Sequence, residues 1–198
     1  MVSTRFADRA RGRLAFLGRI VAKTHLTPNA LTFLGLLLNI AVAAVIASGN
    51  LALGGIMVLL GGGFDVLDGA VARETQQTSK FGAFLDSTLD RYSEAIVFGG
   101  LLLYFTRSGA GTPPILLTYA AVVGSLMISY TRAKAEGLGT RGDVGFAQRL
   151  ERVLILAGAL LLSKPVWGVA ALAILTQLTA FHRIWHVWRF VNHPLPDA

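Results

Sequence analysis

Apolar residues run through this chain in long blocks separated by short polar breaks. The blocks lie near 29–48, 51–73, 81–105, 113–135, 150–163 and 166–190. Each is a candidate to cross a hydrocarbon core of about 30 Å, which takes about 20 helical residues. The fifth is the shortest, from Leu150 to Ser163 ahead of Lys164-Pro165, and an earlier start around Phe146 would lengthen it. Turn chemistry marks three breaks: Ser48-Gly49-Asn50, Ser108-Gly109-Ala110-Gly111 before Pro113-Pro114, and Ser163-Lys164-Pro165.

Charge orients these blocks. Of the 18 Lys and Arg residues, only Arg107 and Lys164 fall beside those three breaks; the rest lie on the N-terminal arm, the other loops or the helix ends facing them. The excess of cations puts both termini and the charged loops in the cytoplasm. In the arm, Phe6, Ala10, Leu14, Leu17 and Val21 recur at three- and four-residue intervals beside a row of Arg5, Arg9 and Arg13. That pattern predicts an interfacial amphipathic helix over 1–24, the alternative being a flexible basic tail. A signal peptide is not expected, since the arm is long and basic and leads into one span after another. The expected architecture is all-α: an integral, multi-pass protein of the cytoplasmic membrane, with six transmembrane helices within 25–198 preceded by that interfacial helix.

Composition agrees, with 54% apolar and only 15% charged residues. The formal charge of +7 raises the question of nucleic acid. The basic residues flank apolar stretches without interleaved aromatics, so no nucleic-acid partner is expected. With no cysteine, disulfides, thiolate metal sites and cysteine nucleophiles are excluded.

The polar positions inside the apolar blocks carry the chemistry. Asp65 and Asp68 sit in the run GGGFDVLDGAVAR at the end of the second block. An acid at a helix centre in a membrane costs about 2.5–3.5 kcal/mol on insertion scales, and less near an interface. Their spacing of three puts both on one helical face, with Gly69 beside them leaving room for a ligand. The third block opens with Gly82, Asp86 and Asp90, four residues apart and so stacked along one face. The short loop between makes the two helices antiparallel neighbours, so four carboxylates converge at the cytoplasmic end. Repulsion among them calls for cations, and hard oxygen donors suit magnesium, manganese or calcium. Pairing with Arg73 and Arg91 as structural salt bridges would leave two cations facing four acids.

The string Asp65-x2-Asp68-Gly69-x2-Ala72-Arg73-x8-Gly82-x3-Asp86-x3-Asp90 resembles the signature of the CDP-alcohol phosphatidyltransferase family. The resemblance implies a homodimer with six transmembrane helices and a cytoplasm-facing polar cavity. It further implies that Asp65, Asp68 and Asp86 hold metal, as two magnesium or manganese ions, and that Asp90 is the general base and often a further ligand. Gly69, Arg73, Thr78 and Gly82 would line the pocket for a CDP-activated lipid, a CDP-diacylglycerol or ether analogue, joined by Pro28 and Asn29. Direct displacement is expected, without a phosphoenzyme.

The sequence after the acids bears on the acceptor. Asp86-Ser87 and Asp90-Arg91, with Ser93-Glu94 following, are more similar to the inositol-phosphate-using branch than to glycerol-phosphate enzymes, which read Asp-Pro and Asp-Lys there. Ser129-Tyr130-Thr131-Arg132-Ala133-Lys134, the Arg149-x-Glu151-Arg152 segment and Arg183 resemble the stretches that hold the acceptor's phosphate in that branch. Ser129, Arg132, Lys134, Arg152 and Arg183 are therefore the expected acceptor-phosphate set, with inositol 1-phosphate the expected acceptor. For each cation alone, positive-inside topology is the competing account. Glycerol phosphate and serine are the alternative acceptors.

Two weaker patterns remain. His182 and His186 have the spacing of a helical metal pair, but with Trp185 and Trp188 nearby an interfacial belt is expected. Gly61-Gly62-Gly63 lacks the lysine motif of a phosphate loop and reads as close helix packing or a flexible segment. A cation transporter would need acids spread through the membrane's depth. Here they cluster at one end of two helices.

Overall fold

The computed structural model describes residues 27–74, 79–140, 142, 144–145 and 148–192, with backbone only over 65–74. The expected interfacial helix over 1–24 and the candidate Thr78 lie outside the described residues, and of the candidates Asp65, Asp68, Gly69 and Arg73 only the backbone is described. The described residues form helices and no strand: α1 (Pro28–Ala47), α2 (Leu51–Glu74), α3 (Lys80–Arg107), α4 (Thr112–Gly137), α5 (Arg149–Leu161) and α6 (Pro165–Asn192).

These elements follow the six apolar blocks closely because helices satisfy every backbone polar group internally where no water can. Local signals set the ends. Thr27 caps α1 by accepting from the Ala30 amide at 3.2 Å, ahead of Pro28 in the first turn. Ser79 caps α3 in the same way, accepting from the Gly82 amide at 2.9 Å. The earlier start around Phe146 considered for α5 is not realised: Gln148, with extended backbone at φ −70 and ψ 173, is the residue before the helix. Gly145 just upstream takes φ 126, a conformation open to glycine and foreign to a helix. The 13 residues of α5 therefore rise only about 20 Å.

By length and apolarity α1, α4 and α6 qualify to cross a bilayer, and α2 carries a shorter apolar stretch, Leu51–Phe64. The first half of α3 is polar, carrying Asp86, Asp90, Arg91 and Glu94.

The bundle is apolar outside as well as in. Phe98, Leu101, Phe105, Ile46, Leu160 and Leu172 fill its centre, while Leu37, Leu60, Leu103, Leu116, Trp167 and Ile174 face outward exposed. Such an outer surface matches lipid rather than water. Helix contact rests on small residues. A Cβ at Gly100 would stand 2.5 Å from the Ala43 carbonyl oxygen, so α1 and α3 meet backbone to backbone there. Gly124 of α4 likewise admits Thr176 of α6. The buried hydroxyls of Thr118 and Thr176 are satisfied within their own helices, donating to Pro114 O and Leu172 O, each at 2.7 Å.

α1 packs on both α2 and α3, α2 also packs on α5, and α6 packs on α4 and α5. Direct packing of α2 against α3, expected from their short connection, is not among the principal contacts of the described residues. A short loop constrains only the two ends it joins, and here α1 packs against both helices. α3 packs on α1 and α4, and its polar half is linked to α5 through Arg149 and Arg152.

Candidate functional site

Helical periodicity on α3 places Gly82, Asp86, Asp90 and Glu94 in one row, a turn apart. Its lower end opens on a cavity of about 260 Å³. Asp90, Arg91 and Glu94 of α3 line it, with Ile128, Ser129 and Arg132 of α4, Gln148, Arg149 and Arg152 around the start of α5, and Arg183 of α6. Five guanidinium groups thus face two carboxylates, an excess of positive charge suited to an anion. A smaller apolar cavity of about 50 Å³ lies beneath and shares Glu94, Arg149 and Arg152.

Ion pairs organise the walls. Arg149 Nη1 donates to Asp90 Oδ2, and Arg91 Nη1 lies 3.8 Å from the same oxygen while also donating to Ser87 O. Arg152 is nearly buried and binds Glu94 through two bonds, Nε to Oε1 at 2.8 Å and Nη2 to Oε2 at 3.1 Å. Arg183 is 4% exposed and ties three segments together, donating from Nε to Val144 O at 2.7 Å and from Nη1 to Ile128 O at 2.5 Å. Arg132 pairs with Glu136 at 2.8 Å on the exposed side of α4.

Most of the cations singled out in the sequence therefore meet at one place. Ser129, Arg132, Arg152 and Arg183 line the cavity with Asp90. Lys134 does not: its ammonium sits 5.7 Å from the Tyr130 ring centroid, outside the lining. Arg91 and Arg149, with Glu94 and Gln148, join the site without having been assigned a place in it. For Arg149 a signal existed, since its spacing of three from Arg152 puts both on one face of α5.

At the other end of the row, Gly82 faces Asn29. A Cβ at Gly82 would lie 2.9 Å from Ser79 Oγ and 3.3 Å from Asn29 Oδ1, so the missing side chain keeps this corner between α1 and α3 open. Of the four acids, the side chains of Asp86 and Asp90 are described, and no group of three or more acidic or histidine side chains occurs among the described residues. An oxygen-only donor set beside a glycine-lined corner fits a hard divalent cation. His182 stacks on Trp185 at 6.1 Å between ring centroids, and Arg189 lies 5.6 Å over the same indole. Gly62 packs against Val153 of α5, a close helix contact.

A row of acids running down one helix into a basic cavity, set in an apolar helical frame, defines an integral membrane enzyme of phosphate-group transfer. The chain belongs to the CDP-alcohol phosphatidyltransferase family, whose sequence model matches residues 25–187. It is 38% identical over 171 residues to the archaetidylinositol phosphate synthase of Pyrococcus horikoshii, covering 85% of this chain and 87% of that protein. To the phosphatidylinositol phosphate synthase of Mycobacterium tuberculosis it is 36% identical over 182 residues, covering 85% of this chain and 84% of that one. The crystal structure of the M. tuberculosis phosphatidylinositol phosphate synthase with CDP-DAG bound matches with a TM-score of 0.82 at 34% identity, over 88% of this chain and 93% of that chain. Its complex with manganese and citrate matches with a TM-score of 0.80 at 34% identity, over 88% of each chain.

Proposed function

We propose that this chain transfers the phosphatidyl-type group of a CDP-activated lipid, diacyl or ether, to inositol 1-phosphate, releasing CMP and forming a phosphatidylinositol phosphate. The observation that carries the reading is the arginine-lined cavity beside Asp90. At about 260 Å³ it is near the small end of ligand pockets, the scale of a polar headgroup rather than of a lipid tail. Its surplus of guanidinium groups suits an acceptor that already carries phosphate better than serine or a free polyol. The names of the relatives support the same acceptor.

Asp65, Asp68 and Asp86 would hold magnesium or manganese, with Asp90 as a further ligand. The chemistry such cations supply is neutralisation of the pyrophosphate and of the departing CMP. Pro28, Asn29, Gly69, Arg73, Thr78 and Gly82 form the donor pocket. Arg132, Arg152 and Arg183, with Ser129, hold the acceptor's phosphate, and Lys134, turned toward Tyr130, is left out of that set. Asp90 then takes the proton from the attacking hydroxyl. That oxygen bonds to the lipid-linked phosphorus as the bond to CMP breaks.

In the membrane the protein takes the form of six spans within 25–198, an interfacial helix over 1–24, and both termini and the active site in the cytoplasm, assembled as a homodimer. The cation bias of the loops supports this orientation.

The test is CMP release by purified protein given radiolabelled CDP-diacylglycerol, manganese and competing acceptors. Inositol 1-phosphate should outcompete glycerol phosphate, serine and inositol. Preference for glycerol phosphate or serine would overturn the acceptor assignment, and no release with any alcohol would overturn the reaction.

A further inference from the structure

The guanidinium groups of the acceptor cavity cannot tell one phosphorylated alcohol from another. Glycerol phosphate and inositol 1-phosphate bring the same anionic group to them, and their charge answers to that group and not to the carbon skeleton behind it. The skeletons differ in their hydroxyls. A cyclic polyol holds neighbouring hydroxyls at a fixed spacing on its ring, and each can both donate and accept. Sorting the two acceptors therefore falls to uncharged polar groups.

Among the described residues, the uncharged ones that line the cavity are Ile128, Ser129 and Gln148. Ile128 has no polar atom on its side chain. Ser129 has one hydroxyl, which donates to Ser125 O at 3.4 Å within α4. Gln148 carries a carboxamide, an acceptor and a donor side by side in one plane, which matches two adjacent hydroxyls.

The backbone fixes where that carboxamide starts. Gln148 is the residue before α5, extended at φ −70 and ψ 173, and its carbonyl oxygen accepts from the Arg152 amide at 3.2 Å. Thr27 and Ser79 in the same position cap their helices through side-chain oxygens, whereas the Gln148 side chain makes no such cap. Glutamine is not among the residues favoured there, so the helix start does not account for it. The residue is exposed, on the cavity. Arg149 beside it reaches Asp90, and Arg152 lies on the same wall, so the segment carrying Gln148 borders both the reacting end and the phosphate end of the cavity.

Resting on the inositol phosphate reading, we infer that Gln148 is a specificity-determining residue whose carboxamide hydrogen-bonds two neighbouring ring hydroxyls of the acceptor, selecting a cyclic polyol phosphate over a short-chain one. The arginines hold the phosphate that both acceptors share. Gln148 reads the part in which they differ, and a short chain leaves one or both of its bonds unmade.

The test compares two acceptors that share a phosphate. Purified protein with CDP-diacylglycerol and manganese is given inositol 1-phosphate or glycerol phosphate, and CMP release is followed in the unaltered chain and in Gln148→Met, which keeps the side chain's length without its amide. For inositol 1-phosphate kcat/KM should fall about tenfold, the order carried by two neutral hydrogen bonds, while for glycerol phosphate it should stay within about twofold. Gln148→Asn, with the amide on a shorter stem, should recover part of the preference. Calorimetry should show inositol 1-phosphate binding weakened in Gln148→Met and inorganic phosphate binding unchanged, a pattern that a loosened cavity wall would not give. Equal losses for the two acceptors, or no loss for either, would overturn the role of Gln148 while the unaltered protein still prefers inositol 1-phosphate. An unaltered protein that prefers glycerol phosphate, or releases no CMP with inositol 1-phosphate, overturns the acceptor reading and the role of Gln148 with it.

Discussion

Arg152 and Glu94 form a two-pronged ion pair, 2.8 Å and 3.1 Å between donors and acceptors, one helical turn below Asp90 on the boundary shared by two cavities. Arg152 is 8% exposed along its side chain and Glu94 26%, so neither charge is well hydrated. Removing Glu94 takes from the nearly buried Arg152 its two-pronged hold. Glu94→Ala should therefore cost on the order of 3 kcal/mol of stability. It should also raise the KM for the acceptor, because Arg152 loses the brace that aims it. Glu94→Asp, which keeps the charge but shortens the reach, should recover stability in part. Unfolding midpoints in detergent and acceptor KM values check both statements.

Adjacent glycines on α3 should respond in opposite ways. A methyl at Gly100 meets the Ala43 backbone, 2.5 Å from its carbonyl oxygen, whereas a methyl at Gly99 meets nothing within 4 Å. Backbone cannot step aside as a side chain can. Gly100→Ala should destabilise by about 1–3 kcal/mol, the usual cost of overpacking. Gly99→Ala should be neutral or gain up to about 1 kcal/mol from helix propensity. The same unfolding measurement separates them, and equal midpoints would contradict the close approach of α1 and α3.

Turnover should depend on both the base and the cations. Asp90→Asn keeps the size of the side chain but removes its capacity to take a proton at neutral pH. CMP release should fall by at least about a hundredfold, the low end of what a general base contributes, while donor binding remains. Chelation should abolish release, and magnesium or manganese should restore it. Asp65→Asn and Asp68→Asn should weaken metal binding instead, shifting half-activation to higher cation concentration.

Orientation can be read because the chain contains no cysteine. Ser108, between α3 and α4, and Leu138, just after α4, are both exposed and lie at opposite ends of α4. In intact cells a membrane-impermeant maleimide should label Ser108→Cys and leave Leu138→Cys unlabelled until the cells are opened. The reverse pattern would invert the topology drawn from the charge bias.

Much of this molecule was legible before any coordinates. The helix limits follow from apolar block length and from local caps, Thr27 with Pro28 and Ser79 with Gly82, which need only neighbouring residues. The row of Gly82, Asp86, Asp90 and Glu94 is a matter of helical spacing alone. The start of α5 was legible to within one residue, a block opening at Leu150 against a helix opening at Arg149, and only the considered extension toward Phe146 fails, since Gln148 is extended and Gly145 takes φ 126.

What the sequence by itself determined is thus the periodic part: an all-helical apolar frame, an acidic ladder on one helix face, and a family of phosphate-transferring enzymes to which that ladder belongs. Tertiary structure alone decided which cations surround Asp90. Arg149 reaches it from 59 residues away, Arg183 is drawn inward by the carbonyls of Ile128 and Val144, and Lys134 turns aside to Tyr130. Spacing along one helix fixes a face, but which face meets another helix depends on how α3, α4, α5 and α6 pack, where small residues such as Gly124 permit close approach.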